Sequence, residues 1–286
     1  MLLLTDLVIH PVKSFAPVPL TTAAVEPWGL AGDRRWMLVD AEGTMVSQRE
    51  DPRLGQIGAQ LRHGLDLRVS AADRPDLFPA DPERTHLDVS APSGTLVPVS
   101  VFGVPFKAVD AGPEAAAWFS RLLGADLRLV HLDDPGHRPM PVPTSLADAY
   151  PLLLTTPESL AALNELIAGE HPDDPVKGQA LPMGRFRPNV VVSGAEAWAE
   201  TGWRRLRIGG TEFRVEQQCG RCVITTLDPA TGERRGPEPL LSLARHRRFG
   251  KSLAFGMHLT PVGELGSLQV SDRVTVLEQG PLPVPR

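Results

Sequence analysis

The sequence predicts a barrel-like, mainly antiparallel α+β fold that is predominantly β, with short helices. Three observations predict it. Short apolar, β-branched segments recur along the chain, separated by glycine and proline. Helical periodicity is confined to a few short stretches. Strands do not alternate regularly with helices, which excludes a doubly wound parallel sheet. No internal repeat is present.

The elements follow in order. Leu2 to Val8 is apolar and β-prone. Residues 37–39 and 44–46 flank Asp40-Ala41-Glu42-Gly43, a hairpin turn by composition. Residues 65–69, 86–89, 96–101 and 105–109 continue the strands. A helix starts near Pro113: Trp118, Phe119, Leu122 and Leu123 share one face, and Gly124 stops it. A strand at 127–132 follows. The stretch 133-DDPGHRPMPVPT-144 is proline-rich and aperiodic, and marks a domain boundary. The expected division is 1–132, 133–280 and a fraying tail, 281–286.

Beyond the boundary, Leu152 to Leu154 reads as a strand. Thr156 caps a helix whose first turn takes Pro157 and whose face is Leu160, Leu163 and Ile167. Strands are expected at 190–192, 206–208, 213–215 and 223–227. Asp228-Pro229-Ala230-Thr231-Gly232 is a turn, with proline pre-set and glycine free to take positive φ. Leu240 to Ala244 is a short helix. Residues 268–270 and 274–277, split by Ser271-Asp272, form a closing hairpin.

Composition narrows the function. The chain has 286 residues, enough for one large domain or two ordinary ones. A net charge of -5 argues against general nucleic-acid binding. No apolar run reaches the roughly 18–20 residues of a membrane span, and Met1-Leu2-Leu3-Leu4 lacks the charged start of a signal peptide. With only two cysteines, a disulfide scaffold is not expected, so the reading is a reducing cytoplasm. Only four of the 29 basic residues are lysines (13, 107, 177, 251), so a lone arginine is by default a surface charge.

Both cysteines lie in 216-EQQCGRCVITTLDPATGE-233. A structural zinc site wants four ligands, and no further cysteine or closely spaced histidine pair follows. A thioredoxin-type dithiol wants a helix after its first cysteine, whereas Val223-Ile224-Thr225-Thr226 favours a strand. Two buried structural cysteines are a third reading. A fourth is a thiolate at a strand edge given to a soft metal, with Arg221 beside Cys222 favouring ionisation. The residues alone leave these open.

The surrounding text resembles a known family. Arg221-Cys222-x-x-Thr225-Thr226-x-Asp228-Pro229-x-Thr231-Gly232 resembles the hallmark of MOSC (molybdenum cofactor sulfurase C-terminal) proteins, in the branch of the mitochondrial amidoxime-reducing component. 10-HPVKS-14, 32-GDRRW-36, 186-FRPNVVVSG-194, Phe255-Gly256 and Gly266-x-Leu268-x-Val270-x-Asp272 resemble further elements of that branch, in family order over nearly the whole chain. The resemblance implies an N-terminal β-barrel domain, then a MOSC domain, with a molybdenum cofactor (molybdopterin) at their interface. It implies Cys222 as the molybdenum ligand and catalytic centre, and Cys219 as structural or neighbouring.

The cofactor's phosphate needs fixed donors and positive charge. Lys13, Ser14, Arg34, Arg187 and Arg221 are expected to supply them, and Asn189 to meet the pterin edge. Arg35 stays a surface charge. Lys251 is a weaker anion contact, and His10 a packing or capping residue. Asp228 is a turn residue before it is a proton relay. The activity implied is reduction of N-hydroxylated compounds, such as amidoximes and hydroxylamines, by oxygen-atom abstraction, with two electrons and two protons then resetting the site. Two cysteines cannot supply the four of an iron–sulfur cluster. A separate electron-donor protein is therefore implied: a flavoprotein reductase, a ferredoxin or a cytochrome b5-like protein. The basic run 245-RHRRFGK-251 is a solvated helix end or a docking patch for it. The alternatives are a non-enzymatic cofactor or persulfide-sulfur carrier, and a thiol–disulfide oxidoreductase using both cysteines.

Overall fold

The computed structural model describes residues 1–71, 85–174 and 176–285. The chain runs through β1 (Leu2–Ile9), β2 (Val18–Leu20), β3 (Thr22–Glu26), β4 (Gly29–Leu30), β5 (Trp36–Val39), β6 (Gly58–Leu61) and β7 (Leu67–Ser70). Next come β8 (His86–Val89), β9 (Leu96–Val101), β10 (Val104–Asp110), α1 (Pro113–Leu123) and β11 (Arg128–His131). Then follow β12 (Leu152–Thr155), α2 (Pro157–Glu170), β13 (Val190–Ser193), β14 (Trp203–Ile208) and β15 (Thr211–Gly220). The last are α3 (Leu240–His246), β16 (Arg248–Phe249), β17 (Ser252–Val262), β18 (Ser267–Gln269) and β19 (Arg273–Gln279). The fold is mostly β, as expected.

Two compact units share the chain. The first holds Met1–Val8, Pro19–Ala31 and Tyr150–Arg286; the second holds Ile9–Val18 and Gly32–Ala149. The chain therefore crosses between them several times.

The first unit is organised by a closed barrel of seven strands in the order β12-β13-β1-β19-β14-β15-β17, with β17 returning to β12. Only β12 and β13 run parallel within it. Closure removes the unpaired edges that an open sheet leaves. Gly256 permits the closing turn of β17: its φ is +81°, and a Cβ there would sit 2.7 Å from the Leu154 carbonyl oxygen. Beside the barrel, α2 and α3 pack Leu163, Ile167 and Leu243 against Phe186 and Phe255. Thr156 caps α2 by accepting from the Ser159 amide at 3.2 Å. A small sheet, β18-β3-β4, completes the unit.

The second unit has a four-stranded sheet, β5-β11-β10-β9, and a three-stranded one, β6-β7-β8. Its core centres on Phe15, Trp36, Leu38, Leu54 and Phe119, with α1 adding Trp118. Gly124 ends α1 in the left-handed region. The expected turn at 40–43 forms: Asp40 donates its amide to the Thr44 carbonyl at 2.9 Å, and Gly43 has φ +81°.

Two expectations are corrected. Residues 223–226 form a 3-10 turn, not a strand. The hydroxyls of Thr225 and Thr226 donate back to the carbonyls of Cys222 and Val223 at 2.8 and 2.7 Å, giving a β-branched run a local alternative to the sheet. The closing hairpin is also absent: β18 pairs with β3, and β19 inserts between β1 and β14. Ser271, at φ +80°, turns the chain between the two sheets. Among the described residues, no helix is long and apolar enough to cross a membrane.

Candidate functional site

In the first unit, β15 delivers the cysteine pair. Its register against β17 shifts between Val215 and Gln218 and again between Gln218 and Gly220, so the strand is irregular where it reaches Cys219. Arg221 then donates its amide to the Leu253 carbonyl at 2.7 Å, and Cys222 opens the 3-10 turn as its N-cap. Cys219 is buried, Cys222 is partly exposed, and neither forms a disulfide.

The Arg221 guanidinium reaches Cys219. Nη1 donates to Cys219 Sγ at 2.8 Å, and Nη2 to the Phe186 carbonyl at 2.8 Å. Burial opposes ionisation of Cys219, but Arg221 and then His258 outweigh it and hold the thiol at about 7. His258 stacks on Tyr150 with ring centroids 4.9 Å apart. Three buried nitrogens around this hook, Gln218 Nε2, Arg221 Nε and His258 Nδ1, have no hydrogen-bond partner among the described residues. Such atoms cost about 1–3 kcal/mol each unless something binds them. A pterin dithiolene, with its many nitrogen, oxygen and sulfur atoms, is a group these residues fit.

Phe186 closes a 3-10 turn at Met183–Phe186, and Arg187 follows at φ +52°. Asn189 uses its carboxamide inside the barrel, accepting from the Leu153 amide at 3.2 Å and donating to the Val8 carbonyl at 3.1 Å. Lys251 is exposed. Asp228 serves its own turn, accepting from the Ala230 amide at 2.8 Å, and pairs with Arg235 at 3.3 Å. The basic run is largely engaged: Arg245 and His246 bond Glu170 at 2.9 and 2.7 Å, and buried Arg247 stacks on Trp198 at 4.2 Å.

In the second unit, Lys13, Ser14 and Arg34 lie close in a charged network. Buried Lys13 donates to the Leu146 carbonyl at 2.8 Å and pairs with Asp148. Burial pushes its ammonium down, and Asp148 opposes that. Arg34 pairs with fully buried Asp33, and the His10 amide donates to Asp33 at 2.7 Å. Burial would raise the Asp33 carboxyl, but Arg34 and His10 bring it to about 2. Ser14, Arg34 and Arg187 have φ of +73°, +49° and +52°; they are three of six such non-glycine residues among those described. Strain of this kind concentrates at functional sites. Arg35 is not a surface charge: it is buried and donates to the carbonyls of Leu132 and Asp133 at 2.6–2.9 Å.

Sequence reasoning missed three participants. Asp148, the partner of Lys13, sits in a segment with no periodicity. His258 is a lone histidine in a strand. Arg185, one residue before the quoted stretch 186–194, was hidden by the abundance of arginine.

Comparison with known proteins agrees with this geometry. Residues 1–126 match the MOSC N-terminal beta barrel domain, and residues 141–275 match the MOSC domain. A MOSC domain following a MOSC N-terminal domain defines the class: this is a two-module MOSC protein. Mitochondrial amidoxime-reducing component 1 of Homo sapiens is 32% identical over 95% of this chain and 82% of its own length. Mitochondrial amidoxime reducing component 2 of Homo sapiens is 31% identical over 93% and 81%. Molybdenum cofactor sulfurase of Danio rerio is 34% identical over 90% of this chain but only 31% of its own length. The chain belongs to the amidoxime-reducing component family of MOSC proteins.

Proposed function

We propose that this protein is a molybdenum-cofactor-dependent oxidoreductase that reduces N-hydroxylated compounds. The observation that carries the proposal is the set of unpartnered nitrogens of Gln218, Arg221 and His258 gathered around the cysteine hook. The names of the relatives support the chemistry. When bound, the cofactor supplies the metal that takes up an oxygen atom and exchanges two electrons. Cys222 supplies the thiolate ligand, a soft donor suited to such a metal. It is partly exposed and outside any disulfide. Arg187 and Arg221 supply donors to the cofactor. Asn189 fixes the chain beside Arg187 by bridging β1 and β12. Electrons come from a separate donor protein, and the compartment is the reducing cytoplasm, in line with two cysteines outside any disulfide.

The test is metal content by mass spectrometry, wild type beside Cys222→Ala, from cells that make molybdopterin. Molybdenum at about one per chain in the wild type and its loss in the variant is the expected result, followed by N-reductive turnover with a competent donor. Zinc in its place returns the pair to a structural site. Cyanolysable sulfur on Cys222 without molybdenum turns the reading to a sulfur carrier. Activity that Cys219→Ser retains excludes a dithiol mechanism, which needs both sulfurs.

A further inference from the structure

The first unit contains a cavity of about 290 Å³ whose lining includes Arg185, Asp228, Arg235, Glu238, Leu181 and Pro237. Arg185 is its unusual member. Its residue is 7% exposed. Nη1 donates to the carbonyls of Thr226 and Thr225 at 3.0 and 3.4 Å, in the turn that begins at Cys222. Nε is buried and has no hydrogen-bond partner among the described residues. No described carboxylate forms an ion pair with this guanidinium. Asp228 is committed to Arg235 and to its own turn. Glu238 accepts from His171 at 3.1 Å and from the Ser242 amide at 3.1 Å. Asp228 is the opposing charge that Arg185 feels, against burial and Arg235, without an ion pair between them; a buried guanidinium so weakly countered is completed by an anion. The Nε edge of arginine is one that takes a carboxylate in two parallel hydrogen bonds, as Arg53 does with Asp51 here, Nε to Oδ1 and Nη2 to Oδ2.

We infer that this cavity is a binding site for a small monocarboxylate with a short apolar body, held at the Nε edge of Arg185. A single charge suits the site because Arg235 and Lys177 in the lining are already paired with Asp228 and Asp174, which leaves one weakly countered cation, Arg185. The volume lies at the small end of ligand pockets, and Leu181 and Pro237 offer the body an apolar wall. Because the same guanidinium holds the carbonyls of Thr225 and Thr226, occupancy bears on the turn carrying Cys222. The inference stands apart from the cofactor reading and does not depend on it.

The test is calorimetric titration of the full chain with sodium benzoate, benzamide and inorganic phosphate. Benzoate is expected to bind saturably, and benzamide and phosphate more weakly. Arg185→Gln is expected to weaken benzoate about tenfold or more, the loss of a charge-assisted pair. Ala180→Trp fills the exposed side of the cavity while keeping Arg185 and its bonds to the turn, and is expected to weaken benzoate to a similar degree. No saturable benzoate binding, equal binding of benzamide, or wild-type affinity in either variant overturns the site. Phosphate binding tighter than benzoate overturns the monocarboxylate assignment.

Discussion

Arg221 lies with its guanidinium nitrogen 2.8 Å from the sulfur of Cys219. The two cysteines are thereby made unlike: one is buried and charge-stabilised, and the other is partly exposed at the head of a turn.

The Cys219 thiol, against an ordinary 9.0, is held at about 7 by Arg221 and His258, which outweigh burial. A group depressed in this way contributes stability that is complete above about 9 and is lost as pH falls through about 7. In a Cys222→Ala background, ultraviolet thiolate absorbance should titrate near neutrality, and Arg221→Gln should move it upward. Denaturation midpoints should rise from pH 7 to 9 in that background and stay flat when Cys219→Ser is added. A titration midpoint near the ordinary thiol value would show that Arg221 does not govern Cys219.

Asp33 is the corresponding acid-side case. Its buried carboxylate, held at about 2 by Arg34 and His10 against the cost of burial, contributes stability that is full above 3.8 and lost as pH falls toward 2. Asp33→Asn leaves Arg34 without its partner and should cost about 3 kcal/mol near neutrality. Urea denaturation across the acid range should show a steep limb in the wild type and a shallower one in the variant.

Thr225 is nearly fully buried, and its hydroxyl donates to the Cys222 carbonyl. Thr225→Val keeps the shape and removes that bond. The expected loss is about 1 kcal/mol in denaturant unfolding, with a measurable fall in molybdenum content. Unchanged metal loading would assign the hydroxyl to stability alone.

Gly256 cannot accept a side chain. Its positive φ and the 2.7 Å approach to Leu154 oxygen predict that Gly256→Ala loses about 2 kcal/mol or more. Thermal unfolding measures this directly. The neighbouring Gly250, also at positive φ but with open space around its Cβ position, should lose less.

Much of this molecule could be read from local pattern. Pro113 and Gly124 delimited α1, Thr156 marked the cap of α2, and the Asp228–Gly232 turn followed from residue type. Pairing between distant segments could not be read in that way. Residues 267–279 resemble a hairpin because adjacency in sequence carries no information about β3 or β1. The turn at 223–226 escaped because β-branched threonines were weighed for propensity and not for their hydroxyls. Motif placement singled out Lys13, Arg34, Arg187 and Cys222 as candidates. It missed Arg185, Asp148 and His258, whose significance lies in partners made or lacking in three dimensions.

The interleaving of the two units has a consequence for synthesis of the chain. β1 leaves the ribosome well before its barrel neighbours β13 and β19, which are residues 190–193 and 273–279. The second unit has all its residues by Ala149. Translation therefore delivers one unit ready to fold while the opening strand of the other waits, its apolar face uncovered, for the last strand to emerge. The hook at Cys222 emerges during that wait. It acquires its final geometry only when the barrel closes, so any metal captured earlier meets a flexible thiol pair and not the finished site.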